Sequence, residues 1–201
     1  MRPPARTAQL VALAATALLL GACQGKEAAE TPKVAESPKA AEAARVGAAA
    51  SGCTLPVTFG LAEDWKPKAV TIAGDELLAE LAQRGPMTMA CEIDAKPAGL
   101  IGFLRVWTGK SGDPRANLTA FIGPEALKPV FTELQIGGRP AVEVAYEKKS
   151  QLDDAIEPEQ AFVVETGQGL LAVSVDSFDS GEHKDMLPAY ELAKSSLQVT
   201  G

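Results

Sequence analysis

Hydrophobic and polar positions divide the chain into three regimes. Residues 10–20 form an uncharged apolar run, preceded by Arg2 and Arg6 and followed by Gly21, Ala22 and Cys23. Residues 24–50 contain no aromatic side chain and only Val34 and Val46 as larger aliphatics. From Ser51 onward, apolar residues recur with the periods of strands and helices. Residues 55–61 alternate around Val57 and Phe59, which predicts a first strand, and residues 68–72 predict a second. Leu77, Leu78, Leu81 and Ala82 then share one helical face, with Asp75 placed to cap and Gly85-Pro86 to stop the helix.

Strand spacing returns at 87–93, with Met87, Met89, Cys91 and Ile93 on one side, and again at 100–107. Asp113-Pro114 opens a helix running to about residue 122, and 125–134 reads as a second helix. Residues 141–146 alternate strongly after the Gly137-Gly138 turn, and 151–159 form an acidic loop. Strands at 161–166 and 170–177 flank Gly167-Gln168-Gly169, a hairpin signature. Residues 182–196 predict a closing helix that buries Leu187, Tyr190, Leu192 and Leu197. The expected class is α+β, a mainly antiparallel sheet with helices packed on its faces.

The apolar run of 10–20 is about half of the ~20 residues that a membrane-spanning helix needs. With the basic residues before it, it reads as a signal segment. Leu20-Gly21-Ala22-Cys23 resembles the lipobox of bacterial lipoproteins. By that resemblance residues 1–22 are a signal peptide, and Cys23 takes a diacylglyceryl thioether and acyl chains such as palmitate. The competing reading is an ordinary secretory signal with a chance cysteine. Two or more acyl chains would anchor the protein stably, where one holds only marginally. Residues 23–50 then form a flexible tether, with a short imperfect repeat around Pro32 and Pro38, too poor in apolar surface to offset the entropy of ordering. As a coil it spans about 30 Å.

Residues 51–201 have the size of one domain with a real core. The chain carries a formal charge of -7; removing Arg2 and Arg6 and the neutral tether leaves -9 from Ser51 onward. An acidic domain without a basic patch excludes nucleic acid as a partner. It also leaves acyl chains, rather than charge, to hold the protein to a bilayer. Three cysteines are an odd number. With Cys23 lipidated, Cys53 and Cys91 remain as a pair for a disulfide in an oxidising compartment; the alternative is two buried free thiols.

Candidate chemistry is sparse. His183 is the one histidine, placed near a helix start and expected in solvent; it leaves no two-histidine metal site, and the chain has no Gly-x-Ser-x-Gly. Thr108-Gly109-Lys110-Ser111 mimics the end of a phosphate-binding loop, but Gly102 lies seven residues before Gly109, where five are needed. Asp176, Asp179, Glu182 and Asp185 recur every third residue and could offer oxygen ligands. They lack the spacing of an EF-hand loop, and helix capping accounts for them more simply. Trp65, Trp107 and Tyr146 read as core or rim residues rather than as the lining of a groove. The expectation is no catalytic residues, no metal and no cofactor.

Several stretches together resemble the actinobacterial lipoproteins of the PsbP/Mog1-like fold, the LpqN/LpqT group. They are the first strand leading into Glu63-Asp64-Trp65-Lys66, the run Gly137-Gly138-Arg139-Pro140-Ala141-Val142-Glu143-Val144-Ala145-Tyr146, the late hairpin, and a terminal helix ending Ser195-Ser196-Leu197. The pair Glu63-Asp64 stands where that group more usually has a Pro-Glu-Gly turn. The resemblance implies an α/β/α sandwich and a non-catalytic binding or accessory module on the extracytoplasmic face of the cell membrane. Its partner would be an envelope protein. The alternative is a carrier of an apolar or envelope-derived small molecule.

Overall fold

Alternation along the long strands of the second half sets the architecture, because each strand supplies two faces that both need cover. The computed structural model describes residues 39–71, 76–150 and 153–200, and within 76–78 the backbone alone. In chain order its elements are β1 (Ala44–Val46), β2 (Val57–Leu61), β3 (Lys66–Ala69), α1 (Glu76–Leu81), β4 (Gln83–Arg84), β5 (Met87–Asp94) and β6 (Gly102–Gly109). There follow α2 (Pro114–Ile122), β7 (Leu127–Ile136), β8 (Arg139–Lys149), β9 (Ile156–Thr166), β10 (Gly169–Ser177), α3 (Ser180–Ser196) and β11 (Gln198–Val199). The main sheet is antiparallel, in the order β3-β5-β6-β10-β9-β8-β7, with β4 also on β5; a small second sheet has the order β1-β2-β11. This is the expected α+β class, with a helix on either face of the sheet.

Two cores result. On one face Phe162, Val164, Leu171, Val173 and Val175 pack against Met186, Ala189, Tyr190 and Ala193 of α3 and against the small sheet. A polar clasp fixes α3 there: Glu143 Oε1 accepts from Tyr190 Oη at 2.8 Å and from Lys194 Nζ at 2.8 Å. On the other face Val142, Val144, Ala161, Val163 and Ala172 meet Leu118, Phe121 and Ile122 of α2. Asp113 caps α2, accepting from the Ala116 amide at 2.7 Å, and Pro114 occupies the first turn, where its missing N–H costs nothing. Trp107 meets Phe121 edge to face at 5.3 Å.

Several sequence expectations differ from the structure, among them the acidic loop of 151–159, whose last four residues belong to β9. The ordered fold begins before Ser51: Val46 of β1, read as tether, is fully buried against β2, and Arg45 donates to the Ser196 carbonyl at 3.2 Å. A segment too poor to form its own core thus borrows one by pairing. Residues 127–136 form an edge strand rather than a helix. Pro129 is tolerated there because an edge residue owes no second ladder bond, and Val130, Phe131 and Thr132 favour extended backbone. In β5 the register shifts between Met89 and Cys91, so the extra residue sends Met87 and Met89 to the α2 core, and Cys91 and Ile93 to the α3 core. Leu81 is 66% exposed, because α1 ends there instead of running to Gly85. In α3 the buried stripe includes His183, Met186 and Ala189, where Leu187 was expected.

The turns match their chemistry. Gly137 and Gly138 both take positive φ, 58° and 74°, as a two-residue hairpin between β7 and β8 requires. Cys53, in the loop after β1, is bonded to Cys91 of β5, tying the small sheet to the main one across 38 residues. Loop entropy assigns such a bridge about 4 kcal/mol. Cys53→Ser is therefore expected to lower the thermal midpoint by roughly 10 °C in a denaturation scan without reductant; an unchanged midpoint would contradict a stabilising bridge.

Candidate functional site

The face that carries α2 changes character along its strands. On β10 the inward positions run Leu170, Ala172, Ser174, Asp176; on β8 they run Val142, Val144, Tyr146, Lys148. Beyond the reach of α2, apolar residues give way to charge. A cleft of about 560 Å³ opens at this end, within the size range of small-molecule sites. Its floor includes Glu92, Arg105, Trp107 and Asp176, and its wall includes Val70, Leu81, Ala82 and Arg84. A smaller hollow of about 220 Å³, containing Glu157 and Glu159, adjoins it through the shared Lys148.

The charged side chains pair in a row. Arg105 Nε donates to Glu92 at 2.9 Å, and its Nη1 lies 3.7 Å from Asp176. Arg84 lies 3.4 Å from the other Asp176 oxygen and donates to Tyr146 Oη. Ser174 Oγ accepts from Trp107 Nε1 at 3.1 Å and donates to Asp176 at 2.9 Å. The Arg84 guanidinium stacks 4.4 Å above the Phe121 ring, which joins this network to the apolar core under α2. β4 delivers Arg84: the Gly85 turn is positive in φ, at 55°, and a Cβ there would meet the Ala120 carbonyl at 2.5 Å, so glycine alone lets β4 close onto α2.

Burial and this pairing shift the titrations. Burial opposes the Arg84 charge, but the neighbouring Tyr146, Asp176 and Glu159 hold its pKa above the usual value. Burial raises the Tyr146 phenol well above its ordinary range, with Arg84 pulling the other way. Glu159 is pushed up to about 7, first by burial and then by the Asp176 charge, against the attraction of Arg84, Lys148 and Arg105. Its Oε2 atom is shielded from solvent and has no hydrogen-bond partner among the described residues.

The residues singled out from sequence fall elsewhere, with few exceptions. Cys23 lies outside the described residues. Cys53 and Cys91 are bridged. His183 is 5% exposed rather than solvated, and burial lowers its pKa against the pull of Glu157. Thr108, Gly109 and Lys110 border a separate groove at the opposite end of the strands. Asp179 caps α3, Glu182 accepts from the Ile101 amide, and Asp176 belongs to the arginine network. Among the described residues no three His, Cys, Asp or Glu side chains gather as a metal site would need. Trp65, Trp107 and Tyr146 are buried, although Trp107 also floors the cleft and Tyr146 holds Arg84. Arg84, Glu92, Arg105 and Glu159 were not anticipated. The available signal was the switch from apolar to polar partway along one face of Leu170-Leu171-Ala172-Val173-Ser174-Val175-Asp176.

The chain belongs to a family described as uncharacterised lipoproteins, whose profile matches residues 24–197. Among solved structures it is similar to the crystal structure of LpqN, involved in cell envelope biogenesis of Mycobacterium tuberculosis. The two are 13% identical, with 72% of this chain and 83% of that chain covered, at a TM-score of 0.43. No match was found among curated proteins. Among the described residues no helix is long and apolar enough to cross a membrane.

The Glu159 shift makes stability depend on pH. A carboxyl whose pKa is higher folded than unfolded contributes fully below about pH 4.5 and loses that contribution as pH rises through about 7. The loss is on the order of 3 kcal/mol. Glu159→Gln is expected to raise the thermal midpoint at pH 8 and to flatten the decline between pH 5 and pH 8. A variant less stable than wild type at pH 8 would contradict the assignment.

Proposed function

We propose that the protein is a non-catalytic binding module, held on the extracytoplasmic side of the cell membrane by acyl chains on Cys23, and that the cleft below α2 is its binding surface. The observation that carries this reading is the cleft itself: about 560 Å³, with aliphatic side chains in its wall over a floor of Trp107 and ion-paired side chains. Pockets of this kind recognise ligands by a few fixed polar groups set in an apolar lining.

The chemistry of the floor supports binding over turnover. Asp176 is committed to Arg84, Arg105 and Ser174, so its oxygens are already engaged by donors of the protein. The Ser174 hydroxyl is buried between Trp107 and Asp176 and lacks a histidine beside it. His183 belongs to the opposite side of the sheet, in the stripe of α3. A second reading, a carrier for an apolar or envelope-derived small molecule, draws support from the apolar wall formed by Val70, Leu81, Ala82 and Met89.

Three outcomes separate these classes. A binding module purified from membranes retains a specific partner after crosslinking, a carrier brings lipid visible by mass spectrometry, and an enzyme loses turnover when Asp176 or Glu159 is altered. Independently, Cys23→Ala is expected to release the protein to the medium or leave it uncleaved. A cleaved mutant that stays with the membrane would reject acylation as the anchor.

A further inference from the structure

The donors and acceptors of the cleft do not balance. A guanidinium has five N–H groups. Arg84 uses one nitrogen for Asp176 and one for Tyr146; Arg105 uses one for Glu92 and one for Asp176. Both keep N–H groups without a protein acceptor among the described residues. Lys148, at the junction of the cleft and the adjoining hollow, has no carboxylate within ion-pair distance among those residues. The carboxylates are better occupied. Asp176 accepts from Arg84 and Ser174 and pairs with Arg105, and Glu92 takes the Arg105 Nε. Apart from Glu159, whose Oε2 has no hydrogen-bond partner among the described residues, spare capacity at the cleft is therefore mostly on the donor side.

Resting on the cleft as the binding surface, we propose that it takes an amphiphile with a singly charged acidic head, the head held by Arg84, Arg105 and Lys148 and the apolar body lying against Val70, Leu81 and Met89. Guanidinium groups favour oxyanions because two parallel N–H bonds match two oxygens. Leu81, exposed at the end of α1, gains a covering in the complex. The acidity of the rest of the domain is no obstacle, since exposed charges farther away than about 8 Å are largely screened at physiological salt.

Glu159 then acts as a regulator of affinity. Facing it are Asp176 from β10, Arg84 from β4, Arg105 from β6, and Tyr146 and Lys148 from β8. Glu157 and Lys149 share its hollow, and His183 of α3 lies near Glu157. With Glu159 protonated, three cations of the site face two carboxylates; ionised, it cancels the excess. Its carboxyl titrates near 7, so anion affinity falls as pH rises through that value.

Titration calorimetry on the mature chain carrying Cys23→Ala, free of lipid and detergent, tests this with 1-hexanesulfonate, which stays charged throughout, and hexyl glucoside, which is uncharged. The sulfonate is expected to bind more tightly, and to weaken roughly threefold to tenfold between pH 6 and pH 8. Glu159→Gln should bind it at pH 8 as the parent does at pH 6. Lys148→Gln, at a partly exposed position, should weaken the sulfonate and not the glucoside. Phosphatidylglycerol vesicles that displace the sulfonate, where phosphatidylcholine vesicles do not, would assign the acidic head to a membrane lipid. Absence of displacement would assign it to a free amphiphile, and either result upholds the anionic head. Equal affinity for both probes, or sulfonate binding independent of pH, would overturn the anionic specificity while leaving the cleft as a binding surface. Binding of neither probe would overturn the cleft as well.

Discussion

Helix α2 has nine residues and spans about 13 Å, whereas the eleven-residue strands β8 and β9 beneath it run about 36 Å. That mismatch of lengths governs the molecule. A sheet side chain without a helix over it must meet water or make its own polar arrangement. The face under α3, which has seventeen residues, has apolar cover along most of its length. The face under α2 has helical cover for little more than a third, and the uncovered end is built from arginine, carboxylate and phenol.

Such an arrangement is expensive unless it closes on itself. Breaking one member of a buried ion pair commonly costs 3–5 kcal/mol, because the partner is left charged and alone. Asp176 sits between two guanidiniums for this reason, and Ser174 fills its remaining capacity while satisfying the indole N–H of Trp107. Arg84 also reaches Phe121, so polar and apolar halves of one face support each other. Glu159 is the member left incompletely served, with one oxygen out of water and unbonded among the described residues. Displaced titration and the proposed ligand recognition therefore concentrate at the same place.

The elements legible in sequence were those whose local signals agree. Asp113-Pro114 marked α2, Gly167-Gln168-Gly169 marked the β9–β10 hairpin, and the cysteine count marked the Cys53–Cys91 bridge. Where local preference and sheet context conflict, sequence misleads. Residues 127–136 became a strand because a partner strand was available beside them, and β1 exists only by leaning on β2. The bulge after Met89 was hidden for another reason: a period-two pattern looks unbroken when both faces are apolar. The cleft was the least legible part, since Arg84, Glu92, Arg105 and Asp176 lie far apart in the chain and meet only through strand register.

The disulfide has a mechanical consequence. β1 precedes Cys53, and Cys53 is bonded into the second strand of the main sheet. A pull on the N-terminal end would first reach the Ala40 amide bonded to the Pro188 carbonyl, and then the three-residue strand, which it could peel from β2. Beyond Cys53 the load passes through a covalent bond into β5. Extension would then stall after a few residues, and the cleft on the far side of the sheet would be spared the strain.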